Sequence, residues 1–161
     1  MSQFSKFNLY QNDISKQSDV SGINMSMVFW DYPKLPVSFM NEEHEVFIGL
    51  MNDAEQSLTM GTFQLQHFRR LVQHCQEHFA HEEREMLKAG FPAYRQHKAE
   101  HDRTLSTMSR LLNEYDEDGN IEPLLDFIQD TLPDWFSAHI TTLDTVTAHF
   151  LANHSTRAKA G

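Results

Sequence analysis

The nine residues HFAHEEREM, His78 to Met86, hold two histidines and three glutamates among apolar neighbours. Imidazole and carboxylate side chains are metal ligands. On a helix His78 and Glu82 stand one turn apart on the same face, and so do His81 and Glu85. A solvated helix face has the same composition. Spacing does not choose between His78 and His81. His67, His74, His78 and His81 are separated by seven, four and three residues and form a possible histidine stripe. Phe68, Leu71, Cys75, Phe79 and Met86 compete to define the buried face.

Ligand-type residues recur along the chain. Seven of its ten histidines fall between Met40 and Arg103. His97 and His101 are four apart, the spacing at which two imidazoles on one helix grip a single ion. His44 lies upstream; His139, Asp144 and His149 lie downstream. His139 and Asp144 are five apart, which leaves them about 140° apart around an ideal helix. Spacing alone therefore does not select Asp144.

These residues sit on four segments with helical periodicity. The first runs from about Phe39 to Leu58 and the second from about Thr62 to Lys88. The third runs from about Pro92 to Tyr115 and the fourth from about Ile121 to Ala152. AGFP stops the second, with Gly90 just past its end and Pro92 beyond. Pro133 sits inside the fourth and predicts a kink or a break there. Long helices joined by short loops predict an all-α, antiparallel up-down-up-down four-helix bundle, in which ligands on the inner faces can converge. Pro33 and Pro36 keep MVFWDYPKLPVSF out of a helix, and Phe29, Trp30 and Tyr32 read as an apolar strap over the core. Residues 1–27 read as a loose N-terminal arm, residues 28–152 as the bundle, and residues 153–161 as a polar tail.

The chain has 161 residues, enough for one domain with a sizeable core, and a net charge of −10. That charge argues against nucleic acid or an anionic membrane as a partner. No apolar run approaches the ~20 residues of a membrane span. The N-terminus has no apolar stretch of the secretory kind. Cys75 is the single cysteine, which excludes an internal disulfide and fits a reducing, cytoplasmic setting.

Taken in order, four motifs resemble the hemerythrin family. NEEHEVF is similar to its first-helix motif and HFAHEEREM to its second-helix motif. GFPAYRQHKAEH is similar to the segment with paired histidines, and WFSAHITTLD to the fourth-helix segment. The likeness spans about residues 28 to 152. It implies two iron ions: His97, His101 and His139 on one, His44 and His78 on the other, Glu82 and Asp144 bridging both. It implies dioxygen as the ligand of the two-histidine iron, in a pocket walled by Phe79, Trp135, Phe136 and Ile140 that excludes water. His78 is thereby preferred to His81, and His67, His74, His81, His149 and His154 become surface or supporting residues. His81, with Glu83 and Glu85, becomes a solvated flank. The chain departs from the family at Phe136, where leucine is usual.

The resemblance implies oxygen carriage, storage or delivery to an oxygen-using enzyme, by a monomer or weak oligomer. A sensor, a peroxidase or a nitric-oxide-handling enzyme is the alternative. Carboxylate-rich di-iron oxidases place glutamate three residues before a ligand histidine. No histidine of this chain has glutamate at that position.

Overall fold

Pro33 and Pro36 keep residues 32–37 out of a helix, and helix α1 (Ser38–Thr59) starts directly after them. The computed structural model describes Met27 and residues 31–160, with side chains as far as Thr156. Residues 1–26 of the expected 1–27 arm, and Phe29 and Trp30 of the strap, lie outside the described residues, whereas Met27 is buried in the core. Tyr32 does pack on the core, and Leu35 is buried. Asn41 in the first turn of α1 ties this segment down. Its Oδ1 accepts from the Leu35 N–H (2.9 Å), and its Nδ2 donates to the carbonyls of Leu35 (2.8 Å) and Val37 (3.1 Å).

Helix α1 buries Met40, His44, Phe47, Ile48, Met51 and Ala54, a stripe at three- and four-residue steps. Helix α2 (Leu65–Ala89) buries Phe68, Leu71, Val72, Cys75, His78, Phe79, Glu82 and Met86. At its start His67 Nδ1 accepts from the Gln64 backbone N–H (3.1 Å), so this histidine serves the helix end. Gly90 ends α2 at φ +66, a left-handed conformation that glycine adopts without a Cβ clash. The Gly90 N–H donates to the Leu87 carbonyl (3.2 Å) and the Phe91 N–H to the Met86 carbonyl (2.9 Å). Helix α3 (Tyr94–Asp118) buries His97, His101, Thr104, Met108 and Leu111.

Helix α4 spans residues 122–160. It is α-helical over Glu122–Asp126, Leu132–His139 and Thr145–Ala160, and wider, with i→i+5 turns, over Phe127–Thr131 and Ile140–Asp144. The first wide turn lies just upstream of Pro133 and accommodates it, so the helix passes through the proline without a break. The helix also runs past Ala152 to Ala160. No glycine or proline lies between those residues to stop it, so the segment expected as a tail is helical. The connections are short, which makes sequential helices antiparallel. The start of α1, the end of α2, the start of α3 and the later part of α4 therefore meet at one end of the bundle. His44, Glu82 and His97 all lie within two turns of those ends.

Candidate metal centre

At that end, seven buried imidazole and carboxylate side chains interrupt the apolar core: His44, His78, Glu82, His97, His101, His139 and Asp144, none more than 6% exposed. They fall into two overlapping groups. Glu82, His97, His101, His139 and Asp144 form one, and His44, His78, Glu82 and Asp144 form the other. Within each group the nitrogen and oxygen atoms lie within 4.8 Å of one another. Glu82 and Asp144 belong to both.

The carboxylate oxygens divide between the two groups. Glu82 Oε2 faces His97 Nε2 (3.4 Å) and His101 Nε2 (3.3 Å), whereas Oε1 faces His78 Nε2 (3.6 Å). Asp144 Oδ1 faces His97 Nε2 and His139 Nε2 (both 3.1 Å), whereas Oδ2 faces His44 Nε2 (3.2 Å). Metal–nitrogen and metal–oxygen bonds run about 2.0–2.2 Å, so ligands at right angles on one ion stand roughly 3 Å apart. The observed separations are of that size.

Hydrogen bonding leads to the same arrangement. Both oxygens of Glu82 and Asp144, and both ring nitrogens of His44, are buried without a hydrogen-bond partner. Such groups cost several kcal/mol unless something compensates them. His78 Nδ1 lies 2.7 Å from Glu43 Oε2 and His101 Nδ1 lies 3.3 Å from Glu83 Oε1. A carboxylate only accepts, so both rings donate from Nδ1 and turn an Nε2 lone pair inward. His97 Nδ1 pairs with Thr147 Oγ1 at 2.8 Å. The His97 and His139 Nε2 atoms then stand 3.0 Å apart. Inward lone pairs at this distance suit cations placed between them.

Charge states follow from burial and neighbours. Burial pushes the His78 imidazole down to about 4 and, with the adjacent His97 and His139, His101 down to about 2. Both rings are therefore neutral at pH 7. Burial, reinforced by Asp144, raises the Glu82 carboxyl well above its ordinary range. Burial acts on Asp144 in the same direction, but His139, His44 and His97 outweigh it and hold that carboxyl well below.

The second wide turn of α4 explains how two residues five apart reach one site. With one more residue per turn, i and i+5 stand as i and i+4 do in an α-helix, and His139 and Asp144 face inward together. Three threonines support it. Thr141 Oγ1 donates to the Ser137 carbonyl (2.7 Å), Thr142 Oγ1 to the Ala138 carbonyl (2.6 Å) and Thr145 Oγ1 to the Ile140 carbonyl (2.8 Å). Threonine side chains that bond back along a helix bend it. The ITTLDT run was the available signal.

Aromatic rings cover the imidazoles. Phe79 stacks on His101 with centroids 4.0 Å apart, and Trp135 on His139 at 4.6 Å. Phe136 meets His44 edge-on at 5.4 Å, is stacked by Phe47 at 4.5 Å, and receives Tyr32 at 5.1 Å. A cavity of about 10 Å³ opens beside His44 and His78, lined also by Phe47, Phe79, Trp135, Phe136, His74 and Cys75, with His139 and Asp144 at its floor. Phe79, Trp135 and Phe136 stand at this cavity. Ile140 does not: it is packed in the core instead. Phe47, His74 and Cys75 are wall residues that sequence reasoning missed.

Two residues read as solvated flank have other positions. His81 Nδ1 lies 2.6 Å from Glu43 Oε1, its ring stacked on Phe39 at 3.9 Å, and Glu83 contacts His101. Glu85 does pair outward, with Lys88 at 2.6 Å. His149 and His154 are exposed.

A family model of the hemerythrin HHE cation binding domain matches residues 35–148. Bacteriohemerythrin of Aquifex aeolicus (strain VF5) is 28% identical over 117 residues, covering 71% of this chain and 89% of that relative. Two solved structures share the fold at 23% identity, each covering 81% of this chain and 99% of its own. One, at TM-score 0.67, is described as a hemerythrin with a leucine-to-tyrosine mutation. The other, at 0.66, is a leucine-to-phenylalanine mutant. The chain belongs to the hemerythrin family, the all-α class built as a four-helix bundle.

Proposed function

We propose that this protein binds two iron ions at the seven-residue cluster and binds dioxygen reversibly at the two-histidine half. The observation that carries the reading is the division of the carboxylates, each with one oxygen towards each group of imidazoles. His97, His101 and His139 would hold one iron and His44 and His78 the other, with Glu82 and Asp144 bridging. The first half has five protein donors and the second four, so the second is the half with room for an added ligand. When bound, the two irons supply the electrons that dioxygen takes up and returns.

The chain's own residues do the rest. The cavity beside His44 and His78 has room for about one water-sized molecule, which suits a diatomic ligand. Phe47, Phe79, Trp135 and Phe136 exclude bulk water. Keeping bulk water away from a ligand there favours its release unchanged. A cytoplasmic location and a carrying, storing or delivering role belong to the same proposal.

The test is to admit air to anaerobic, ferrous protein and follow the visible spectrum. A band that appears with air and vanishes on argon purging is the expected result. Irreversible conversion to the ferric form selects the enzymatic or sensory alternative. Elemental analysis should give two irons per chain, and zero or one removes the di-iron reading.

A further inference from the structure

Three histidines of α2 converge on one residue of α1. His78 Nδ1 donates to Glu43 Oε2 (2.7 Å) and His81 Nδ1 to Glu43 Oε1 (2.6 Å). His74 Nε2 donates to the Glu43 backbone carbonyl (2.8 Å). The histidine stripe of α2 is thus largely a set of partners for Glu43, which immediately precedes His44 in α1. Of the two imidazoles in the four-donor half, His78 has this carboxylate on its outer nitrogen, while His44 Nδ1 has no partner.

We infer that Glu43 is a positioning residue that selectively sets occupancy of the two-histidine half of the centre by fixing the His78 tautomer. The inference rests on the di-metal reading above. A carboxylate accepts two N–H bonds at once, so Glu43 satisfies His78 and His81 together. This keeps the His78 proton on Nδ1 and the Nε2 lone pair towards Glu82 Oε1, 3.6 Å away. An amide at position 43 offers one acceptor and one donor, so one of the two rings must carry its proton on Nε2 instead. Where that ring is His78, the ligand atom is blocked. The other half is held differently, through Thr147 on His97 and Glu83 on His101, and does not depend on Glu43. Partners of this kind typically change metal affinity about 10–100-fold.

Anaerobic titration of metal-free protein with cobalt(II), followed by its visible absorption, separates the outcomes. Wild type takes up two equivalents. Glu43→Gln should keep the first within experimental error and weaken the second about 10–100-fold. His81→Gln, which leaves the Glu43–His78 bond in place, should weaken it less. Histidine ring nitrogen-15 shifts of metal-free wild type should show His78 protonated at Nδ1, and Glu43→Gln should shift it towards Nε2. A purely structural role would leave that tautomer unchanged. Two undisturbed equivalents in Glu43→Gln overturn the inference, as does equal weakening of both. An Nε2-protonated His78 in wild type overturns it without any variant. Fewer than two equivalents on wild type removes the di-metal reading itself, and the inference with it.

Discussion

Glu82 sets stability against use. A fully buried carboxyl close to Asp144 opposes folding of the metal-free chain. Glu82→Gln should therefore stabilise metal-free protein by about 1–3 kcal/mol, read from chemical denaturation, while lowering iron content below two per chain. The imidazoles give a pH dependence of known sign. The folded pKa of His78, about 4, lies below its ordinary 6.5, and His101 is lower still. The unfolded chain takes up those protons first, so stability is present above the ordinary value and is lost as pH falls towards the folded one. Glu82, shifted upward, offsets one of the two protons. Metal-free protein should lose on the order of 1 kcal/mol per pH unit between about pH 6 and 4, measured as a falling denaturation midpoint. Phe136 closes the cavity against Phe47 and His44. Phe136→Leu should open it, with faster ligand release and faster autoxidation in stopped-flow traces. Unchanged rates would mean that Phe136 does not control access to the cavity. His78 and His81 are three residues apart, about 60° around the helix, and both border the inner face. Periodicity could not rank them; the family resemblance preferred His78, and that ring is the one the structure buries beside Glu82.

Three of the four helices were legible nearly to their ends, because their apolar stripes and the turn at Gly90 are local features. The fourth was less so. Its inner face depends on where one extra residue is absorbed, and an ideal 3.6-residue period turns Asp144 away from the site. Backbone groups loosened by the wide turn and caught by Thr141, Thr142 and Thr145 make up the difference. Gly90 is legible and testable. Its φ of +66 strains any L residue, and an added Cβ would meet no atom within 4 Å. Gly90→Ala should therefore cost about 1 kcal/mol from backbone conformation alone, visible as a lower denaturation midpoint with an unchanged slope.

At the scale of the molecule, the centre joins all four helices. Ions that bind only the folded chain stabilise it by mass action, about 2.7 kcal/mol at a hundredfold excess over Kd. The melting temperature should rise with iron(II) concentration and fall on chelation; a flat response would mean that the buried cluster binds no ion. The residues gathered there run from His44 to Asp144, across most of the chain. That spread has a consequence in time. During synthesis, His44, His78, Glu82, His97 and His101 are made well before His139 and Asp144, and at about 5–20 residues per second the early helices wait seconds for the last one. Until α4 docks there is no second carboxylate and no closed pocket. A pair of metal ions would therefore find a complete site only in the finished fold, and a chain cut before residue 139 would lack both His139 and Asp144 and could not hold them.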